Sequence, residues 1–150
     1  MNTQPVTILL VEDDPGHARL IEKNLRRSNI TNPIKIVDNG QDAVDYLFGE
    51  GAYAESQHPS PLLVLLDLNL PVLDGYQVLK RMKDNTHTRR IPVIILTTTD
   101  DAREVTRCYD LGCNVYITKP VDYEHFSDAI RKIGLFLSVV TIPDGEKYRV

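Results

Sequence analysis

A chain of 150 residues has the length of one domain with a single buried core, and 42% hydrophobic with 25% charged residues is ordinary for a globular protein. The formal net charge of -4, spread along the chain without a zinc-finger, basic-zipper or RNP pattern, argues against nucleic acid as a direct partner. No apolar stretch is long enough to span a bilayer and the start, MNTQPVT, has no secretory-signal pattern, so a cytoplasmic location without a membrane partner is expected.

The first apolar run is TILLV (7–11). After it Asp14 can cap a helix with Pro15 at its first position, and Ala18, Ile21 and Leu25 follow at helical spacing. A second run, PIKIV (33–37), leads to a helical GQDAVDYLFG (40–49) and then to a long connection, GEGAYAESQHPSP (49–61). The third run, LLVLL (62–66), precedes the helical DGYQVLKRMKD (74–84). The fourth, VIIL (93–96), precedes DDAREVTRCYDLG (100–112), with Gly112 as a helix stop. The fifth, VYI (115–117), is followed by a helix from about Asp122 to Ser138, with Phe126, Ile130, Ile133 and Leu137 on one face. The tail is VVTIPDGEKYRV (139–150). Three of the runs are continuous rather than alternating, as expected of strands covered on both faces. Five strands alternating with five helices predict an α/β protein: a parallel sheet with right-handed crossovers and helices on both sides.

In open parallel sheets, ligands sit outside the carboxyl ends of the strands. The residues past each run are Glu12 and Asp13, then Asp67, Thr97, and Lys119 with Pro120, whereas the second run ends in a turn and helix start, Asp38-Asn39-Gly40. With the second strand on the edge, the other four ends converge on one pocket. Three carboxylates brought together repel unless a cation shares the site. All-oxygen donors suit a hard divalent ion, and a site that keeps waters for a phosphate-bearing partner points to Mg2+. With Lys119 as a second positive charge, these are the parts expected for making an aspartyl phosphate.

The motifs VEDD, LLDLNLPVLDG, ILTT and VYITKP, in this order, resemble the receiver domain of two-component response regulators over about residues 5–138. The resemblance implies a doubly wound, flavodoxin-like five-stranded parallel sheet of order 2-1-3-4-5 flanked by five helices. It implies that Asp67 accepts a phosphoryl group from a sensor histidine kinase, that Asp13 and Asp67 ligate Mg2+ directly, that Glu12 does so through water, and that the Asn69 backbone carbonyl is a further ligand. By the same comparison Thr97 hydrogen-bonds the phosphoryl group, Lys119 pairs with it, and Tyr116 swings inward when Thr97 moves. The Lys119-Pro120 bond looks like the family's cis peptide, in keeping with the small trans preference before proline. The long 49–61 connection, the wording LLDLNLP and IPVIILTTT, and a tail ending in TIP look like the stand-alone regulators serving cyanobacterial and other bacterial phytochrome histidine kinases. Residues 1–150 are thus expected to form a single receiver domain, with a core of about 5–138, an extension over 139–150 and no output domain. Such a protein catalyses only its own phosphorylation and slow dephosphorylation and is not a turnover enzyme; its helix 4–strand 5–helix 5 face changes on phosphorylation.

Two departures stand out. Glu12 takes the place of a frequent aspartate, where its longer side chain tunes metal affinity, and Thr98 takes the place of a small residue at the pocket rim, where its bulk is expected to alter phosphorylation or dephosphorylation rates. A haloacid-dehalogenase-type phosphatase also uses a strand-end aspartate with magnesium, but it needs a second aspartate two residues on, and here that residue is Asn69. A receiver-like binding module that is never phosphorylated is the other alternative, disfavoured by the intact residue set. Asp67 by itself reads equally as a strand-end cap, and Tyr116 as packing. Cys108 and Cys113 are too few for a disulfide scaffold and read as reduced structural residues. His17, His58, His87 and His125 lack metal spacing and read as surface residues; His17 lies near the pocket, within reach of a docking kinase. Ala129, Ile133, Phe136 and Val140 make a second apolar stripe on the last helix, continued by Val139, Ile142 and Pro143. Coverage of the sheet is the plain reading; a symmetric homodimer through helix 4, strand 5, helix 5 and the tail is the expected one.

Overall fold

The computed structural model describes residues 7–54, 62–119, 122–129 and 131. Five strands, β1 (Thr7–Val11), β2 (Ile34–Val37), β3 (Leu62–Leu66), β4 (Val93–Thr97) and β5 (Val115–Thr118), form one sheet of order β2-β1-β3-β4-β5. All four pairings are parallel. Between the strands run α1 (Pro15–Arg27), α2 (Gly40–Phe48), α3 (Gly75–Lys83) and α4 (Ala102–Leu111), and residues 123–129 are helical after β5. This is the flavodoxin-like order expected from the sequence, with β2 on one edge.

The continuous apolar runs are explained by two separate cores. Along β1, Leu9 and Val11 point into one core, shared with Val44, Leu47, Val78, Leu79, Met82 and Cys108 of α2, α3 and α4. Ile8 and Leu10 point into the other, shared with Ile21 and Leu25 of α1 and with Phe126. Successive side chains of a strand face opposite ways, so a central strand with helices on both sides must be apolar at every position. β1 and β4 are accordingly buried throughout, whereas the edge strands β2 and β5 are only partly covered.

The helix starts follow from capping chemistry. Asp14 accepts from the N–H groups of Gly16 and His17 with Pro15 in the first turn, Asn39 accepts from Asp42, and Asp74 and Gln77 form a reciprocal capping box. α2 and α4 end in left-handed Gly49 and Gly112. Three strand boundaries differ from the sequence reading, one of them the end of β5, which runs one residue further to Thr118. β2 starts at Ile34 because Pro33 has no N–H, although its carbonyl still accepts from Ile8 at 2.9 Å. β4 runs one residue further, to include Thr97.

The start of the long connection forms a turn, Gly51–Tyr53, whose Tyr53 ring meets Tyr46 edge-on at 5.1 Å while the Lys35 ammonium lies 5.2 Å above it. Ala129, the first residue of the second apolar stripe, is buried within the monomer. Ile130, Ile133, Phe136, Leu137, Val139, Val140, Ile142 and Pro143, the Lys119-Pro120 peptide, His58 and the tail lie outside the described residues. Among the described residues no helix is long and apolar enough to cross a membrane.

Candidate functional site

The pocket forms where the sheet's hydrogen-bond ladder is carried one residue past the strand ends. Glu12 N–H donates to Val37 O at 3.0 Å, Asp67 N–H to Val11 O at 3.1 Å and Lys119 N–H to Thr97 O at 2.7 Å. These bonds fix the backbones of three charged residues on rigid neighbouring strands. One carboxylate oxygen from each of Glu12, Asp13 and Asp67 then lies within 4.8 Å of the others. Glu12 and Asp67 are buried and Asp13 is exposed.

Lys119 is buried with them. Its ammonium donates to Glu12 Oε1, to Asp67 Oδ2 at 3.2 Å, and lies 3.3 Å from His17 Nδ1. The other oxygens have local donors: Asp14 N–H reaches Glu12 Oε2 at 3.1 Å and Asn69 N–H reaches Asp67 Oδ1 at 3.2 Å. Burial pushes the Glu12 carboxyl above the usual carboxylate range, against the lowering effect of the Lys119 and Asp14 bonds, and the neighbouring Asp67 charge pushes the same way. Three carboxylates thus gather beside one ammonium that bonds two of them, and the Glu12 carboxyl is raised despite its cationic partner. The all-oxygen donor set and this shortfall of positive charge fit a hard divalent cation.

The loop after Asp67 is held by close backbone contacts. Gly75 N–H donates to Leu68 O at 2.9 Å, and Gly40 N–H to Pro71 O at 3.3 Å. Val72, at the apex, has φ of 71° with a Leu73 N–H to Pro71 O bond of 2.9 Å across it. A β-branched residue in this tight γ-turn is strained by roughly 1–3 kcal/mol, and it is exposed, so no burial offsets the strain.

Thr97 is fully buried at the end of β4 and its hydroxyl has no hydrogen-bond partner among the described residues. Thr98 beside it is exposed, as a rim position requires. Tyr116 is half-buried; its hydroxyl donates to Thr99 O at 2.6 Å, tying β5 to the segment that follows Thr97. Burial pushes this phenol up to about 12. Asn69 is exposed next to Asp67. Asn39, past β2, caps α2 by accepting from Asp42 N–H, and its amide donates to Asp38 Oδ1 at 2.9 Å.

One group was missed in the sequence. The Tyr76 hydroxyl of α3 donates to Glu104 of α4, and the Arg107 guanidinium sits 3.8 Å above the Tyr76 ring. Burial, then the Glu104 carboxylate, raises the Tyr76 phenol. These residues lie 28 positions apart at the Tyr76–Glu104 bond and carry no motif. The remaining described histidines conform to the surface reading: His87 is exposed, and exposed His125 pairs with Asp122 at 2.5 Å.

Against known proteins, residues 8–131 match the response regulator receiver domain. The chain belongs to that family. Receiver domains of this family are signalling proteins phosphorylated by histidine kinases, not turnover enzymes in the usual sense. Response regulator Rcp1 of Synechocystis sp. is 39% identical over 140 residues, 93% of this receiver chain and 94% of Rcp1. The Mn2+-bound form of Rcp1 matches at a TM-score of 0.75 and 38% identity, covering 89% of this chain and 94% of that one. A response regulator receiver domain from Rhodospirillum rubrum is 59% identical, with a TM-score of 0.74 and coverage of 89% and 94%. The phosphorylated cyanobacterial phytochrome response regulator RcpA is 38% identical, with a TM-score of 0.77 and coverage of 93% and 99%.

Proposed function

We propose that this receiver domain takes a phosphoryl group onto Asp67 from the phosphohistidine of a phytochrome-linked histidine kinase, with Mg2+ as the cation. The observation that carries the reading is the convergence of Glu12, Asp13 and Asp67 oxygens within 4.8 Å, with the Lys119 ammonium on two of the three carboxylates. The phytochrome link is supported by the likeness to RcpA, and the divalent cation by the Mn2+-bound form of Rcp1.

In this reading an Asp67 carboxylate oxygen attacks phosphorus as the P–N bond to the kinase imidazole breaks, and the imidazole leaves with the bonding pair. Charge builds on the three equatorial oxygens, and catalysis consists of neutralising and positioning them. Asp13, Asp67 and the Asn69 carbonyl would hold the Mg2+, with Glu12 acting through water, and the cation would supply positive charge to neutralise and orient the phosphoryl oxygens. Lys119 pairs with one of those oxygens. The Thr97 hydroxyl, a buried donor without a partner among the described residues, supplies a hydrogen bond to another. Drawing Thr97 toward the phosphoryl group pulls on Thr98 and Thr99, and because Tyr116 is bonded to Thr99 O its ring follows inward. The α4–β5 face changes shape as a result. Thr98 at the rim modulates access.

The same proposal takes residues 1–150 as one receiver domain acting in the cytoplasm. It includes a homodimer through α4, β5, the last helix and the tail, supported by the apolar character of Ile133, Phe136, Val140 and Ile142. Light scattering on a version ending at Ser138 tests the tail's part: a monomer is expected, and an unchanged dimer removes the tail from the interface. A phosphatase of the haloacid-dehalogenase type is disfavoured by Asn69 in place of the needed general acid. For the main reaction, the protein is incubated with Mg2+ and acetyl phosphate and weighed by mass spectrometry. An acid-stable, base-labile phosphoryl adduct that is lost in Asp67→Asn is expected; no adduct, or one that persists in the variant, refutes the proposal.

A further inference from the structure

An ammonium has three N–H donors, and the buried Lys119 ammonium has three polar partners around it: Glu12 Oε1, Asp67 Oδ2 at 3.2 Å and His17 Nδ1 at 3.3 Å, the last an acceptor in the tautomer with its proton on Nε2. With its side chain only 5% exposed, any one of those donors left unfilled would be costly. Two of the acceptors are carboxylates of the pocket. The third is a ring nitrogen from the first turn of α1, on a backbone fixed by the Asp14 cap, whose Oδ1 accepts from His17 N–H at 3.1 Å. The same nitrogen is 3.9 Å from Glu12 Oε2 and 3.8 Å from Asp14 Oδ2, beyond hydrogen-bond length, so Lys119 is its one close polar contact among these.

We infer that His17 is a positioning residue: it holds the third N–H of Lys119 in the resting protein and releases it when a phosphoryl oxygen arrives at Asp67. This rests on the reading of Asp67 as phosphoacceptor. The order of release follows from the strength of the three bonds. The bonds to Glu12 and Asp67 join the ammonium to carboxylates of opposite charge, an attraction that the imidazole nitrogen does not offer. The His17 bond is also the longest of the three, and its side chain is 43% exposed, so the freed nitrogen is taken up by water at once. His17 therefore keeps a buried donor satisfied without tying it to a charge that must later be broken away.

The consequence is asymmetric. Removing His17 takes one hydrogen bond from the resting state and none from the phosphorylated state, in which that N–H has already moved. In His17→Ala the rate of Mg2+-dependent phosphorylation by acetyl phosphate should rise by about fivefold, the worth of one ordinary hydrogen bond, while hydrolysis of the aspartyl phosphate proceeds at the wild-type rate. His17→Gln, which offers a carbonyl oxygen from a side chain of similar reach, should restore the wild-type rate. A merely structural role for His17 would move both rates, and glutamine would not rescue it.

A second readout needs no phosphorylation. In the resting wild-type protein the 1H–15N correlation of the Lys119 ammonium should be resolved through slow exchange, broaden or vanish in His17→Ala, and return in His17→Gln. An unchanged signal and unchanged rate in His17→Ala, the absence of a resolved wild-type signal, or a glutamine variant that behaves like alanine overturns the inference. A wild-type protein that takes up no phosphoryl group refutes the phosphoacceptor reading and the release step with it, while the ammonium signal still decides whether His17 holds Lys119.

Discussion

Gly75→Ala separates what the helix start permits from what the pocket permits. Gly75 opens α3, where alanine is ordinarily favoured by roughly 0.5–1 kcal/mol because it loses less backbone freedom on folding. A Cβ there, however, would lie 2.3 Å from Asp67 O and 2.6 Å from Leu68 Cα. Both are backbone atoms, and a normal contact requires a shift of about 1 Å that no rotamer can supply. The Gly75 N–H to Leu68 O bond, 2.9 Å long, must stretch with it. Overpacking costs about 1–3 kcal/mol and the disturbed hydrogen bond about 1, so after the gain of about 0.5–1 from alanine the net destabilisation is about 1–3.5 kcal/mol. For a chain of this size that lowers Tm by roughly 2–14 °C. Because the displaced atoms belong to Asp67 and its neighbour, divalent-cation affinity should fall as well. Gly16→Ala is the control: its Cβ would be 3.2 Å from Asp14 Oδ1, a side-chain atom able to yield, and stability should change by less than about 0.5 kcal/mol. Urea unfolding and cation titration of both variants provide the assay. A Gly75→Ala protein as stable as wild type, with unaltered cation binding, would refute the claim that backbone contact at Gly75 sets the position of Asp67.

Thr97→Val removes a buried hydroxyl that has no partner among the described residues in exchange for a methyl of similar volume, so urea unfolding should show unchanged or slightly greater stability, while the yield of aspartyl phosphate falls about tenfold or more. The Tyr76–Glu104 bond links α3 to α4, and a double-mutant cycle with Tyr76→Phe and Glu104→Gln should give a coupling of about 1 kcal/mol in stability; additivity of the two changes would remove the link. Burial pushes the Cys108 and Cys113 thiols up to about 11 and about 12 from an ordinary 9. The unfolded chain therefore loses these protons first, so the stabilisation is whole below pH 9 and is lost as pH rises toward the folded values. Between pH 8 and pH 10 unfolding free energy should fall by about 2–3 kcal/mol, and Cys108→Ala/Cys113→Ala should remove most of that slope.

What the sequence revealed and what it concealed divide along physical lines. The runs at 7–11, 62–66 and 93–96 were readable because helices on both faces force unbroken apolar strands, and the pocket was readable because Glu12, Asp13, Asp67 and Lys119 directly follow strands in the chain. The cap at Asp14 is local chemistry and fell where expected, whereas Asn39 and Asp74 emerge as caps of α2 and α3 only in the structure. The grip of His17 on Lys119 depends on how α1 lies against the end of β5, across 102 positions of chain, so the sequence placed His17 near the pocket without naming its partner. Tyr76, Glu104 and Arg107 meet through the packing of α3 on α4, which no spacing rule specifies. Val72 is concealed for another reason: a branched residue gives no hint of a positive φ, since glycine or asparagine is the usual signal for one.

The most direct test of the account is chemical localisation of the phosphoryl group. After reaction with acetyl phosphate and Mg2+, borohydride reduces an acyl phosphate to the alcohol, converting a phosphorylated aspartate to homoserine, which peptide mass spectrometry can place. Homoserine at position 67 alone is the predicted result. Homoserine at position 13, the alcohol derived from Glu12, or no reduced residue anywhere would contradict the assignment of Asp67 as the nucleophile around which this pocket is built.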